Sequence, residues 1–176
     1  MNYLKIAHED VCNGSGLRCT IWVSGCSHYC KGCFNQEAAD PKVGIQFDAS
    51  AKQEIFTELA KDYISGLTLS GGDPLFKDNV EEVYKLVTEV KQKFPTKNIW
   101  LYSGYTWEQL FDDDDFDKKE ISANQYRRAI VLMCDVFVDG EYIDEQRDVT
   151  LKWRGSKNQH IWRNNNKIWE NVTDII

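Results

Sequence analysis

Apolar residues recur along this chain at two spacings that alternate from one end towards the other. Between Arg18 and Gly25, RCTIWVSG gathers β-branched and aromatic residues and ends in glycine, which predicts a strand running into a loop. From Ser50 to Tyr63 the period lengthens. Ile55, Phe56, Leu59, Ala60 and Tyr63 fall on one helical face, and Ser50 with Gln53 forms a capping-box pattern. GLTLS at 66–70 is a short apolar strand that breaks into GGDP at 71–74. A second helix is predicted from about Asn79 to Phe94, carrying Val80, Val83, Tyr84, Val87, Val90 and Phe94 on one face. Asp78 stands at its cap and Pro95 stops it.

NIWLYS at 98–103 predicts a third strand ending at Gly104, and Thr106 with Gln109 predicts another capped helix. The acidic run Asp112–Asp115 reads as a solvated turn. AIVLMC at 129–134 leads into a strand, VFVDG, at 136–140. QHIWRNNNKIWENV at 159–172 alternates around three asparagines and predicts a hairpin, with Trp162 and Trp169 packed against the body.

Strands alternating with helices imply parallel strands joined by crossovers, hence an α/β fold. About four strands are predicted, with room for two more. A closed eight-unit barrel needs roughly 250 residues. At 176 residues the expectation is a partial, open parallel α/β barrel, a single domain spanning 1–176 with a hairpin tail at about 159–176. Ligand chemistry in such folds collects where strands end. The loop after Gly25, GGDP at 71–74, SGY at 103–105 and DG at 139–140 all follow strands and can share one rim.

Composition narrows the class. Hydrophobic content of 42% with 28% charged residues describes a globular protein. No apolar run approaches the roughly 18 residues that span a bilayer, and MNYLKIAHED lacks a signal-peptide pattern, so the expectation is a cytoplasmic protein without a membrane partner. A net charge of −7 argues against general nucleic-acid binding. Yet Arg147, Lys152, Arg154, Lys157, Arg163 and Lys167 face a single acid, Asp148, across 147–167. That segment is either a solvated surface or a positive rim for an anionic ligand or acidic partner.

CSHYCKGCF at 26–34 places Cys26, Cys30 and Cys33 within eight positions. In a reducing compartment clustered thiols are ligands or catalysts more often than disulfides. Cys12, Cys19 and Cys134 stand apart and read as buried small hydrophobes or inert thiols. Zinc wants a closed tetrahedral set, which His28 or Cys19 would have to complete. An iron–sulfur cubane usually takes four thiolates, so three leave one iron open. The cysteine cluster alone leaves both metals open. Gly71 and Gly72, directly after a strand, let backbone approach a ligand closely, Asp73 adds a carboxylate and Pro74 fixes the turn. Together the two motifs favour a cofactor held by backbone beside an open iron.

C-x3-C-x2-C followed by strand-GGDP resembles the radical S-adenosylmethionine superfamily. The fuller set SGCSHYCKGCFN (24–35), LSGGDPL (69–75), NIWLYSGY (98–105), FVDGEY (137–142) and WRGSKNQ (153–159) is similar to its activases of anaerobic ribonucleoside-triphosphate reductases. The likeness runs from about Asn2 to Gln159; nothing is carried over to Asp112–Asn124 or past His160.

The resemblance implies that Cys26, Cys30 and Cys33 hold three irons of a 4Fe–4S cluster and that S-adenosylmethionine chelates the fourth. Gly71, Gly72 and Asp73 would line the methionine end, Asp73 accepting from the amino group. Gly32, Cys33 and Phe34 would lie near the adenine, with Gly32 standing where many relatives carry an aromatic or apolar residue. Asp139 is a candidate for a further polar contact, and Arg154 for the cofactor carboxylate or the partner. The implied chemistry is reductive cleavage of the cofactor, whose 5′-deoxyadenosyl radical takes hydrogen from a partner glycine. The implied partners are the reductase's large glycyl-radical subunit and a low-potential electron donor such as a flavodoxin, with a homodimer possible. Two other readings stay open: a radical enzyme acting on another glycyl-radical enzyme or a small heterocycle, and a non-catalytic zinc-binding module.

Overall fold

The computed structural model describes residues 1–112 and 120–175. One eight-stranded sheet organises the chain, in the order β3-β1-β2-β4-β5-β6-β7-β8. Its centre is parallel: β2 (Leu17–Val23), β4 (Ile64–Gly71), β5 (Asn98–Tyr102) and β6 (Val136–Asp139). These are the four strands that apolar patterning marks. Antiparallel strands flank them, with β1 (Asn2–Asp10) and β3 (Ile45–Gln46) on one side and β7 (His160–Asn165) and β8 (Ile168–Asn171) on the other. The sheet is therefore mixed, and the expected count of four to six strands is corrected to eight. β1 escaped the sequence reading because its residues are mostly half-exposed and carry charges on both faces.

Alternation along the parallel strands divides the molecule. Cys19, Ile21 and Val23 of β2, Leu67 and Leu69 of β4, Ile99 and Leu101 of β5, and Phe137 of β6 join one core with α1 (Ala49–Leu59), α2 (Val80–Lys93) and α4 (Ile121–Met133). The intervening residues Thr20, Trp22, Thr68, Trp100 and Val138 are buried on the opposite face. Parallel strands buried on both faces read as continuous apolar runs, which is why these four were legible. On that second face Arg18 is fully buried. It donates to Thr68 Oγ1 at 2.6 Å, Asn98 Oδ1 at 2.7 Å and the Leu67 carbonyl at 2.7 Å, and its guanidinium lies 5.4 Å from the Trp100 ring.

The helix starts are informative. α1 is capped by Asp48, whose carboxylate accepts from the Ser50 and Ala51 amides, and not by the expected Ser50–Gln53 box. It ends at Leu59, leaving Tyr63 exposed. α2 begins after Asn79 without a side-chain cap, in place of the expected Asp78 cap. The α3 helix (Trp107–Phe111) carries the expected capping box, Thr106 and Gln109 satisfying each other's backbone amides. The predicted hairpin is β7–β8, and its turn residues Asn166 and Lys167 both take positive φ, as a type I′ turn requires. Trp162 and Trp169 pack on Trp107, at ring distances of 4.9 and 5.4 Å. Of the acidic run expected to form a turn, Asp113–Asp115 lie outside the described residues.

Candidate metal and cofactor site

The C-terminal ends of the four parallel strands deliver the rim that the sequence places there. After β2 the chain forms an arch: Gly25 and Cys26 donate to the carbonyls of Ala38 and Ala39 at 2.7 and 3.1 Å, and Cys33 N donates to the Cys30 carbonyl at 3.2 Å. Within it Tyr29 is three-quarters exposed and holds a left-handed φ of 51°, a conformation that costs a non-glycine residue energy and that clusters at functional sites. After β4, Gly72 N and Asp73 N donate to the Val23 and Gly25 carbonyls, both at 2.7 Å, so the GGD turn is stitched to the base of the arch. Gly71 has φ +114°, which only glycine adopts without strain.

Between these segments lies a cleft of about 610 Å³. Cys26, Cys30, Cys33, Gly32, Phe34, Gly71, Gly72 and Arg154 all line it, so most of the expected site residues meet there. The volume falls within the usual range for small-molecule sites. Phe34 is largely exposed at the mouth, its ring edge-on to Trp22 at 5.9 Å. Tyr102 also lines the cleft, and its hydroxyl is buried without a hydrogen-bond partner.

Asp73 and Asp139 sit beneath this surface. Asp73 is 1% exposed; its carboxylate accepts from Ser103 Oγ at 2.9 Å, Gly104 N at 3.2 Å, Leu75 N at 2.7 Å and His28 Nε2 at 2.8 Å. Asp139 is fully buried and accepts from Trp107 N at 2.8 Å, Trp162 Nε1 at 2.8 Å and His160 N at 3.0 Å. It ties α3 and β7 to β6 and is not among the lining residues. Arg154 reaches the cleft with its guanidinium donating to the Lys157 and Gln159 carbonyls at 3.1 and 2.9 Å.

Sequence reasoning treated His28 only as a possible zinc ligand. Its ring instead bridges two carboxylates, Asp73 at 2.8 Å and Glu141 at 3.0 Å, with Tyr105 edge-on at 4.7 Å. Burial pulls the imidazole pKa down, but the bonds and charges of Asp73 and Glu141 outweigh it and hold the value above that of an ordinary histidine. Glu141–His28–Asp73–Ser103 thus links segments that follow all four parallel strands. The signal available in sequence was a histidine between two ligands, with no room to point inwards beside them.

Three cysteines on one cleft are the donor chemistry of an iron–sulfur cluster with one open iron. Among the described residues, however, no three His, Cys, Asp or Glu side chains are gathered closely enough to hold a metal ion. Burial and then the Asp73 charge push the Cys26 thiol up to about 11, against backbone donors from His28 and Tyr29. Burial, followed by the Glu141 charge, raises Cys30. Metal loading must therefore displace protons from these sulfurs. Neither fourth ligand that the sequence offers for zinc is free to complete the set. Cys19 is fully buried in the helix-side core, and both nitrogens of His28 are engaged by carboxylates. Cys12 also lines the cleft, from the turn before β2. A closed zinc site built on His28 or Cys19 is therefore disfavoured.

Comparison with known proteins agrees with this chemistry. The family model described as a 4Fe-4S single cluster domain matches residues 12–162. An anaerobic ribonucleoside-triphosphate reductase-activating protein of Haemophilus influenzae is 45% identical over 165 residues, covering 93% of this chain and 98% of the relative. One of Enterobacteria phage T4 is 40% identical over 171 residues, covering 97% and 99%. One of Escherichia coli is 36% identical over 163 residues, covering 92% and 97%. No solved structure gives a significant match. Likeness of this extent, over nearly the full length of each relative, shows kinship directly: the chain belongs to the family of anaerobic ribonucleoside-triphosphate reductase-activating proteins.

Proposed function

We propose that this chain activates an anaerobic ribonucleoside-triphosphate reductase by installing a glycyl radical on it. The observation that carries the reading is that Cys26, Cys30 and Cys33 line one cleft together with the Gly71–Gly72 turn. Bound there together, a 4Fe–4S cluster and S-adenosylmethionine supply reductive cleavage of the sulfonium and a 5′-deoxyadenosyl radical able to abstract hydrogen.

The chain's own residues hold and orient. The three cysteines bind the cluster, and the Gly71–Gly72 backbone faces the methionine end. Asp73, already bonded by Ser103, Gly104, Leu75 and His28, sets the shape of that turn more than it offers a free acceptor. Gly32 and Phe34 would serve the adenine and Arg154 an anionic group, all three being residues that line the cleft. Asp139 acts through the packing of β6 against α3 and β7.

The fold reading that accompanies this function is an open α/β barrel. Its parallel strands form the wall, and its unclosed side admits a protein loop bearing the target glycine. A low-potential donor of the flavodoxin kind would meet the arch at its exposed residues Tyr29 and Lys31. Cytoplasmic residence follows from that partnership. No helix among the described residues is long and apolar enough to cross a membrane.

The test is anaerobic incubation of the reduced, cluster-loaded protein with S-adenosylmethionine and the reductase, read by electron paramagnetic resonance. A glycyl radical on the reductase supports the reading. A loaded, reduced protein that leaves the reductase without one removes it.

A further inference from the structure

We propose that His28 is a positioning residue that holds the cysteine arch in register with the Gly71–Asp73 turn, so that the cluster's open iron and the cofactor's chelating end meet. The inference rests on the function proposed above and assigns a role that the three thiols and the glycine turn do not fill.

The geometry carries it. The His28 side chain is 9% exposed and lies midway between Cys26 and Cys30 in sequence. Its Nε2 bonds Asp73 Oδ2 at 2.8 Å, the carboxylate that also accepts from Ser103 and Gly104. Its Nδ1 bonds Glu141 Oε1 at 3.0 Å, beyond the end of β6. The ring seats over Gly104, where an added Cβ would come within 2.4–2.7 Å of three of its atoms. Its other flank meets Tyr105. A side chain that merely filled this space would need neither of two opposed carboxylates. Backbone bonds hold the arch at Gly25 and Cys26 at one end and in the Cys30–Cys33 turn at the other, with the Tyr142 backbone at the Cys30 sulfur and Tyr105 at Ser27 adding to them. His28 is the strut between those ends, and it reaches the turn assigned to the cofactor. Residues that orient ligands from behind change affinity by about ten-fold or more when removed.

Three variants test this: His28→Phe, which keeps a ring of similar size; His28→Gln, which restores a donor towards Asp73; and Glu141→Gln on the half-exposed outer partner. The first readout uses protein without cluster: amide hydrogen exchange of residues 26–33. His28→Phe is expected to exchange about ten-fold faster there, and His28→Gln to stay near wild type. The second is the S-adenosylmethionine titration of the reduced cluster's electron paramagnetic resonance spectrum. The midpoint is expected to rise about ten-fold in His28→Phe, with iron content intact, and to recover to within about three-fold in His28→Gln.

A His28→Phe protein that titrates like wild type overturns the proposal. So does a soluble, folded His28→Phe that no longer holds iron, because His28 would then serve cluster assembly itself. Equal loss in His28→Gln and His28→Phe overturns it too, because the Asp73 bond would not be the cause. Should His28→Phe fail to fold, Glu141→Gln decides: a midpoint raised about three-fold supports the proposal, and an unchanged one overturns it. If the wild-type cluster itself ignores S-adenosylmethionine, the proposed function fails, a result separate from any variant.

Discussion

The Asn79 side-chain amide donates to the Ser24 carbonyl at 2.8 Å, joining the start of α2 to the residue before the cysteine arch. The same nitrogen reaches the Asp73 carbonyl at 3.1 Å. Asn79 is 1% exposed, and both acceptors are buried backbone oxygens at the base of the site. It therefore gives up the cap role that its place before α2 would allow and spends its donor on the arch and the GGD turn.

Asn79→Ala leaves the Ser24 carbonyl buried without its side-chain donor and the Asp73 carbonyl with the Phe76 amide alone, at 3.0 Å. The expected cost is about 2–3 kcal/mol in urea unfolding of the cluster-free protein, and reconstituted iron per chain should fall with it. Unfolding at the wild-type midpoint would show that the amide is not holding these loops.

Gly104 has ordinary backbone freedom to spare, but no space. An added Cβ meets His28 Cδ2 at 2.4 Å and Cγ at 2.6 Å. Gly104→Ala is expected to displace the ring from between its carboxylates and to destabilise the protein by about 1–3 kcal/mol, measured by chemical unfolding.

Arg18 tests the far end of the same face. It is a buried cation with no carboxylate in ion-pair range among the described residues, held by carbonyls, Thr68 and Asn98. Burial lowers its pKa to about 10, so it stays charged at neutral pH. Lysine lacks the planar fork that serves several acceptors at once. Arg18→Lys should cost about 3 kcal/mol in thermal or urea unfolding.

Asp10 gives a pH signature. Partial burial works to raise its pKa, but hydrogen bonds from the Cys12 amide at 2.7 Å and the Asn13 side chain at 2.6 Å outweigh it, and the value is lowered. A depressed folded value means that the stabilisation is present above the ordinary carboxylate pKa and is lost as pH falls through the folded one. The stability gap between wild type and Asp10→Asn should be full at pH 7 and shrink as pH drops below about 4. A gap that is constant with pH would contradict the assignment.

Much of this site was legible because its signals are local. Cys26, Cys30 and Cys33 lie on one loop, Gly71 and Gly72 follow a strand, and the Thr106–Gln109 box is a pattern within four residues. What escaped is long-range. His28 finds Asp73 across 45 positions and Glu141 across 113, separations that no periodicity encodes. Asp139 was read as a ligand contact because it ends a strand, but Trp107 and Trp162 arrive from elsewhere and use its oxygens. The α1 start was misplaced by two residues because Asp48 and Ser50 are both good caps and only the folded backbone chooses. β1 went unseen because a flanking antiparallel strand earns its place by pairing more than by burial.

The central claim is that three protein thiols leave one iron for the cofactor. Its most direct measurement is 5′-deoxyadenosine formed when the cluster-loaded protein is reduced anaerobically with S-adenosylmethionine, in wild type and in Cys30→Ala. The account predicts product from the wild type, and neither product nor iron chromophore from Cys30→Ala. Product persisting without Cys30, or none from an iron-replete wild type, would contradict it.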